Sequence, residues 1–288
     1  MRCQAGMKRR LSRSAAGTVA LFMFIILFAV FMVLPMVLVI SNSFKPFDEL
    51  WVFPPKLFPS QPTLKNYMDM LTVMSNSLVP FSRYLFNTVF ITVAGTAGNI
   101  LLASMCAFPL AKKSFPGRNL IFKTIVLTLM FNTTVTAIPN YITMAKLGWI
   151  DSLASIVVPA FATPLGLYLI KQFMEQAVPD ALLEAARIDG AGQVRIFFRI
   201  VMPIVKPAWM TLILLSVQSL WNTGASNYIF SEENKTLSYA LGQIAAGGLS
   251  RAGVSAAVSV VMMAVPVSVF LFSQSNILQT MASSGMKD

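Results

Sequence analysis

The sequence predicts an all-α membrane protein with six transmembrane helices and both termini in the cytoplasm. Of its 288 residues, 56% are hydrophobic and only 11% are charged, whereas roughly a quarter of the residues in soluble domains are charged. Six stretches without charged side chains are long enough to cross ~30 Å of hydrocarbon. The basic residues between these stretches are distributed unevenly, and this asymmetry predicts the orientation.

The first predicted span follows a basic amino-terminal tail, residues 1–17, which includes Lys8, Arg9 and Arg10. Secretory signal peptides also begin with basic residues, but their apolar region has about 7–15 residues and ends at a small-x-small cleavage site. The run from 18 to 40 is longer and lacks such a site, so it indicates an uncleaved anchor helix. Residues 18–288 form one predicted transmembrane domain with spans at about 18–40, 84–111, 124–145, 152–170, 207–230 and 252–278.

Lysine and arginine in the loops predict the orientation, because they accumulate on the cytoplasmic side of multispanning proteins. With the amino terminus inside, 15 of the 22 basic residues lie in the cytoplasm and seven lie outside. Membrane topology therefore accounts for the net charge of +11. A nucleic-acid partner is a poor explanation, since the basic residues are split among loops and no basic patch with interleaved aromatics occurs.

Composition excludes several kinds of chemistry. The chain has no histidine, so it has neither a Ser-His-Asp triad nor a histidine-held zinc site. It has no Gly-Lys dipeptide and hence no P-loop for ATP. Cys3 lies in the basic tail and Cys106 in an apolar run, so a disulfide framework is not plausible. We predict that the chain is not an enzyme and binds no cofactor or metal itself.

Residues 41–83 form a predicted outer loop that is long for a connector. The loop contains six prolines and several aromatic side chains, among them Trp51, Phe53 and Phe58. We expect an ordered cap on the outer surface, with a helix around residues 64–71. A second predicted outer loop spans residues 231–251.

The cytoplasmic loop at 175–206, between the fourth and fifth spans, has the pattern of a helix, a turn and a second helix. Asp180 follows a proline and is suited to cap the first helix. Gly190 is suited to end it, because glycine tolerates a left-handed C-terminal position. An amphipathic helix pair resting on the membrane surface is one interpretation of this pattern. One side of the second helix is predicted to hold Val194, Phe197, Phe198 and Val201.

The same loop resembles the EAA motif of the inner-membrane subunits of ABC importers. That motif has Glu-Ala-Ala, three residues, Gly, nine residues, Ile, one residue and Leu-Pro. Met202 stands where the motif has Leu, which is a volume-conserving change. Residues 188–191, Ile-Asp-Gly-Ala, are similar to the carbohydrate-uptake branch, and six spans suit the smaller permease of maltose-type importers. The positions that match in register are Glu184, Ala185, Ala186, Gly190, Ile200 and Pro203.

The resemblance implies that this loop is a coupling helix, which docks in a cleft of a separate ATPase subunit that binds ATP and Mg²⁺. It also implies a second permease subunit, two ATPase subunits, an extracytoplasmic solute-binding protein and an oligosaccharide substrate, assembled at a bacterial cytoplasmic membrane. Small side chains in the loop would let another surface approach closely. The coupling residues implied are Glu184, Ala185, Ala186, Arg187, Asp189, Gly190, Ala191 and Pro203.

Polar side chains inside the spans are candidates for a translocation path, because unsatisfied polar groups are costly in lipid. Amide groups and an aromatic ring on one helix face suit a sugar site, while amides that join packed helices are the alternative. In the fifth span, helical spacing predicts one face made of Gln218, Trp221, Asn222 and Ser226. Further candidates in the third span are Asn132, Asn140 and Tyr141.

The leading hypothesis is a transmembrane permease subunit of an ATP-driven, binding-protein-dependent importer for oligosaccharides. The alternative is a stand-alone secondary transporter of small polar solutes. That class tends to place ionisable residues inside the membrane and to show inverted repeats, and neither feature is visible in this sequence. A membrane-embedded enzyme is a third class, which the absence of histidine disfavours.

Overall fold

The structure is a computed structural model that describes residues 15–75, 79–131, 133–224 and 227–285, and every regular element in these ranges is helical. The all-α prediction is confirmed. The first helix, α1, covers Ala15–Ser43. Its apolar stretch Gly17–Ser43 has a mean hydropathy of 3.1, and every side chain from Val19 to Met36 is exposed. These exposed side chains are available to lipid or to another subunit.

The segment that joins α1 to the next long helix is ordered, as predicted, and contains α2 (Phe47–Leu50) and α3 (Lys65–Ser75). The Lys45 ammonium group is buried and donates hydrogen bonds to Asn42 Oδ1 at 2.8 Å and to the Lys56 carbonyl at 2.6 Å. The Asn66 amide donates to the carbonyls of Ser43 and Lys45 at 2.9 and 2.8 Å. These bonds attach the segment to the end of α1.

Helix α4 covers Phe81–Lys112 and lies at the centre of the bundle. Two glycines allow close helix contacts there, as small residues do in membrane proteins. A Cβ on Gly95 would lie 2.6 Å from a methyl group of Leu220, and a Cβ on Gly98 would lie 2.2 Å from the ring of Phe161. Side chains larger than glycine would push these neighbours apart.

A buried polar junction joins α4 to two of its neighbours. The Asn99 amide donates to Ser216 Oγ, and the Thr163 hydroxyl donates to Asn99 Oδ1, both at 2.8 Å. Asn99 is only 1% exposed. Hydrogen bonds of this kind contribute to helix association where water is absent.

The predicted third span, 124–145, is divided between two helices. Helix α5 covers Arg118–Thr128 and α6 covers Thr133–Lys146, so they have 11 and 14 residues. After α5 the backbone tightens, because the amides of residues 129, 130 and 131 each bond to the carbonyl three residues earlier. A charge-free run does not reveal such a break, since composition and hydropathy are continuous across it.

The predicted fourth span is also interrupted and extends beyond its predicted end. Helix α7 covers Ala154–Ala160 and α8 covers Pro164–Ala177. Thr163 is extended before Pro164, as expected for a residue that precedes proline. The span was predicted to end before Lys171, but this side chain is buried and pairs with Glu175 at 2.7 Å. The paired charge lets the helix continue.

The loop before the fifth span forms α9 (Asp180–Ile188), α10 (Gln193–Ile196), a π-helical turn at Phe197–Val201 and α11 (Met202–Ile204). Helix α12 then covers Lys206–Trp221. It bends by 77° from the helical stretch before it. The predicted fifth span continued to 230, but the chain leaves the helix at Asn222.

The last helices are α13 (Leu237–Ala245) and α14 (Ala252–Gly285), and α14 packs against α12 and α1. In the described residues, four helical stretches are long and apolar enough to cross a membrane, and a fifth is added if the bent pair at α12 is one span. They are Gly17–Ser43, Phe81–Lys112, Ala154–Ala177 and Ala252–Gln274.

Candidate functional site: the loop before α12 and a polar pocket

Helix α9 ends in a turn that only glycine adopts without strain. Gly190 has φ +78°, and its amide donates to the Arg187 carbonyl at 3.0 Å. The Ala191 amide donates to the Ala186 carbonyl, also at 3.0 Å. This pair of bonds is a Schellman motif. It confirms the predicted helix stop at this position.

One side of α9 is anchored in a hydrophobic cluster. Leu183 is 2% exposed and Ala186 is 8% exposed. They belong to the same buried cluster as Phe108 of α4 and Phe197 of the π-helical turn, whose ring centroids are 5.7 Å apart. The first part of the loop is therefore packed against the end of the helical bundle.

The other side of α9 is exposed and holds most of the coupling residues implied by the motif. Ile188 on this side is 87% exposed. Ala186 and Ala191 lie on the packed side or at its edge. The exposed residues of the motif are Glu184, Ala185, Arg187, Asp189, Gly190 and Pro203.

One ion pair connects α9 to α4, and a second joins the neighbouring helices α5 and α8. Lys112 at the end of α4 pairs with Asp180 at 3.0 Å, and Arg118 of α5 pairs with Glu175 of α8 at 2.9 Å. Asp180 was predicted as an N-cap, but Pro179 occupies that position and Asp180 is the first residue of α9. It pairs with Lys112 instead, a contact between distant residues that local sequence does not show.

In the second half of the loop, the set of buried side chains differs from the one predicted. Phe197 and Val201 are buried, whereas Val194 is 72% exposed and Phe198 is 50% exposed. Ile196 takes their place in the core. The π-helical turn at Phe197–Val201 explains the difference, because it changes the helical register on which the prediction relied.

The candidate path residues of α12 do not share one face. Gln218 and Asn222 are exposed, whereas Trp221 is 5% exposed and its indole N–H donates to the Met262 carbonyl at 3.0 Å. Asn222 is the C-cap of α12, and its amide donates to the Gln218 carbonyl at 2.8 Å. The helix ends at this point, so helical spacing does not extend to Ser226, which lies outside the described residues.

In α6, Asn140 and Tyr141 are both exposed, and the third candidate, Asn132, lies outside the described residues. Tyr141 stacks on Tyr228, with ring centroids 6.3 Å apart. It also lines a pocket of about 450 Å³ between α6, the stretch after α12, and α13. The pocket is lined by Tyr141, Gly224, Asn227, Ile229, Phe230, Lys235, Thr236 and Tyr239.

Sequence reasoning found one residue of this pocket, Tyr141, and missed the others. Lys235 and Tyr239 were assigned to a loop beyond the spans, and Phe230 to the end of a helix. The signal that was present is the density of aromatic and polar residues over 227–239. Aromatic rings beside amide and hydroxyl groups can stack on a sugar ring and hydrogen-bond its hydroxyl groups.

Two carboxylates make hydrogen-bond networks near the pocket. Asp151, at φ 59°, accepts hydrogen bonds from the Phe230 amide at 3.0 Å and from the Ser231 amide at 2.8 Å. The Ser231 hydroxyl also donates to it. The hydrogen bond from the Ser231 hydroxyl is the main reason that the pKa of Asp151 lies below its usual value, and the bond from the Ser231 amide acts in the same direction.

The second carboxylate is Glu232. Burial acts to raise its pKa, but hydrogen bonds from Lys235 and Tyr84 outweigh burial and keep the pKa below its usual value. The Tyr84 hydroxyl donates to it at 2.8 Å. The hydrogen bond to Glu232 raises the pKa of Lys235 in turn. Among the described residues, no group of three or more His, Cys, Asp or Glu side chains could hold a metal ion.

The long apolar helices of the fold define an integral membrane protein. The family described as the binding-protein-dependent transport system inner membrane component matches residues 99–283. This chain belongs to that family. The match confirms the resemblance drawn from the EAA motif and places the chain among transport components, which are not enzymes themselves.

Two relatives from Bacillus subtilis (strain 168) show how far the similarity extends. Protein LplC is 32% identical over 190 residues, which is 66% of this chain and 62% of that protein. The polygalacturonan/rhamnogalacturonan transport system permease protein YtcP is 32% identical over 200 residues, or 69% of this chain and 67% of that protein. The match with LplC thus spans about three fifths of that relative's length.

A solved structure shows the same fold. It is the crystal structure of a bacterial ABC transporter involved in the import of the acidic polysaccharide alginate. One of its chains superposes with a TM-score of 0.77 at 24% identity, over 92% of this chain and 98% of that chain. The likeness concerns the arrangement of helices.

Proposed function

We propose that this chain is the smaller of two transmembrane permease subunits of an ATP-driven, binding-protein-dependent importer for oligosaccharides. The observation that carries the proposal is the exposed end of α9. It presents Glu184, Ala185 and the Gly190 turn on a base that is packed into the bundle. A surface built in this way can transmit force, because a push on the exposed side meets tightly packed side chains.

The proposed partners follow from the family and from this surface. Two ATPase subunits bind ATP and Mg²⁺ and receive α9 in a cleft, and a second permease subunit completes the path. An extracytoplasmic solute-binding protein delivers the oligosaccharide, as the family description implies. The complex lies in a bacterial cytoplasmic membrane. The pectic substrates in the name of YtcP support a carbohydrate cargo.

The proposed topology has six spans and cytoplasmic termini. In it, α5 and α6 together form the third span, α7 and α8 the fourth, and α12 the fifth. Contacts at the two opposite ends of α4 support this arrangement. Lys112 meets Asp180 of the coupling loop at one end of α4, while Tyr84 meets Glu232 at the other end.

The proposed half of the path runs along exposed polar side chains of apolar helices. Gln218, Asn222 and Asn140 are exposed in this chain. Polar groups that face lipid are costly, so these side chains indicate a surface turned toward the second permease and the substrate. The pocket beside Tyr141 forms the extracytoplasmic mouth of this surface. Trp221 packs between helices and positions them.

The test uses the whole complex, reconstituted in lipid vesicles with its binding protein and sugar. Glu184→Lys should leave the chain inserted in the membrane but lower ATP hydrolysis stimulated by the loaded binding protein, because it reverses a charge at the ATPase contact. Asp48→Lys is the matched control, since Asp48 is also exposed and lies in the segment after α1. Equal stimulation in Glu184→Lys and wild type contradicts the coupling role. Uptake by the chain alone, driven by an ion gradient, would instead support a stand-alone secondary transporter.

A further inference from the structure

The segment at residues 51–58, called here the interfacial segment, exposes large apolar side chains next to charged ones. Phe53 is 91% exposed, Phe58 is 69% exposed and Trp51 is 53% exposed. Lys56 lies among them and is exposed as well. A run of exposed aromatic residues with a lysine is typical of protein that sits at the boundary between lipid and water.

Hydrogen bonds hold the interfacial segment against the last turn of α1. The Ser41 hydroxyl donates to the Leu57 carbonyl, and the Lys45 ammonium donates to the Lys56 carbonyl at 2.6 Å. Leu57 is therefore at the level of Ser41, close to the end of the helix. Lipid offers no hydrogen-bond partners, so these bonds pair two backbone carbonyls that would otherwise be unsatisfied in a membrane.

Below this attachment, a groove of about 370 Å³ runs between the interfacial segment and α1. At ~1.5 Å per helical residue, residues 29–37 extend along α1 for roughly 12 Å, which is close to half of the ~30 Å hydrocarbon layer. The groove begins near the interface and runs toward the membrane centre. Every side chain that lines it is apolar: Ala29, Val30, Val33, Leu34, Val37, Leu57 and Phe58.

We propose that the interfacial segment is embedded in the membrane interface and that the groove holds one acyl chain of a phospholipid. The depth of the groove fits one leaflet, its lining offers no polar group to a protein partner, and residues 29–36 of its helix wall are exposed. The exposed Lys56 ammonium lies at the headgroup end, where it can reach a phosphate. The proposal depends on membrane insertion alone and not on the transported solute.

The first test measures depth by tryptophan fluorescence. The chain has four tryptophans, and a variant with Trp149, Trp209 and Trp221 changed to Phe retains only Trp51. In vesicles of phospholipid brominated near the headgroup, Trp51 should be quenched roughly twofold more than with bromine at the chain end, since interfacial aromatic residues sit at headgroup level. A variant that retains only the buried Trp221 is the control. Equal quenching at both depths, or quenching only by aqueous iodide, overturns the proposal.

The second test concerns the groove and uses the intact complex released from membranes into mild detergent. Native mass spectrometry should detect a bound phospholipid that Val33→Trp removes, because the indole fills the groove. Val19→Trp is the matched control, since Val19 is an exposed residue of α1 away from the groove. The proposal fails if lipid occupancy is the same in both variants. It also fails if a cysteine at position 58 cross-links to another subunit, which would show that protein occupies the groove.

Discussion

At the scale of single residues, two positions show backbone geometry with a clear physical reason. Gly190 is left-handed and ends α9, and a Cβ there would meet nothing within 4 Å. Asp151 is a non-glycine residue in the left-handed region, at φ 59°, and uses its carboxylate to tie residues 230 and 231 in place. In both cases the left-handed backbone conformation fixes nearby structure: it ends α9 at Gly190, and it goes with the bonds from Asp151 to residues 230 and 231.

Substitutions at Gly190 can separate strain of the turn from contact with the ATPase. Gly190→Val strains the left-handed turn by ~1–2 kcal/mol, whereas Gly190→Asn is tolerated there more easily. Because the Cβ meets nothing in this chain, we expect both variants to reduce stimulated ATP hydrolysis through contact with the partner. The control is Gly192→Ala, at an extended position with equally open surroundings. Full activity of Gly190→Asn would show that only the turn matters.

The Asp151 carboxylate should stabilise its loop in a pH-dependent way. Its pKa is lowered in the folded protein, so the stabilisation is fully present above the ordinary aspartate value of ~3.9 and is lost as pH falls through the lowered pKa. Hydrogen exchange at the Phe230 and Ser231 amides, corrected for intrinsic rates, should stay protected from neutral pH down to about this value. Asp151→Asn should reduce the protection at pH values above the lowered pKa, where the wild-type carboxylate is charged. Asp48→Asn, which removes the same charge elsewhere, should not.

At the scale of elements, α12 has two different sides. The side with Trp221 packs against α4 and α14, in a cluster that also includes Tyr84, Leu237 and Val258. The side with Gln218 and Asn222 is exposed. Helical spacing predicted that Gln218, Trp221 and Asn222 share one face, but Trp221 is buried whereas Gln218 and Asn222 are exposed.

Variants of α12 should therefore divide into two classes. Trp221→Ala should destabilise the complex by roughly 3–5 kcal/mol, as large-to-small changes in packed sites do. Gln218→Leu and Asn222→Leu should leave thermal unfolding nearly unchanged but reduce sugar uptake, because they remove amide groups from the path. Leu215→Ala on the same helix is a control, since Leu215 is partly exposed and apolar. Normal uptake in both amide variants would assign these side chains to helix packing with the second permease.

At the scale of the whole molecule, contacts of charged side chains collect at the two ends of the bundle. One end has the ion pairs of Lys112, Arg118 and Lys171. The other end has the Asp151 and Glu232 networks and the Lys45 network after α1. Apolar cores lie between these ends. This is the arrangement that a bilayer requires, since charges are inexpensive only at its surfaces.

The proposed topology predicts opposite accessibility at two exposed positions. In a background without Cys3 and Cys106, Ser60→Cys should react with a membrane-impermeant maleimide from outside intact cells. Gly192→Cys should react only after the membrane is opened. Both positions are exposed, so a difference in reactivity reports sidedness and not burial. Labelling of position 192 from outside contradicts a cytoplasmic coupling loop.

Much of the architecture is predictable because its causes are local. A long apolar run with no charges requires a helix in lipid, which is why both ends of α1 and α4 and the start of α14 were predicted within three residues. The helix, turn and glycine of 180–190 were predicted from residue types with strong conformational preferences. The third and fifth spans were less accurate, because breaks in a helix at 129–131 and after Trp221 do not interrupt the apolar run.

The sequence by itself determined the all-helical membrane class, the family and the helix-ending turn at Gly190, since each depends on composition or on residues close together in the chain. Only the tertiary structure decided that Asp180 pairs with Lys112, that Trp221 faces the core and that Asp151 holds residues 230 and 231. It also decided that residues 51–58 return to α1. These features join residues that are far apart in sequence, so their energies depend on how the helices pack and not on any local pattern.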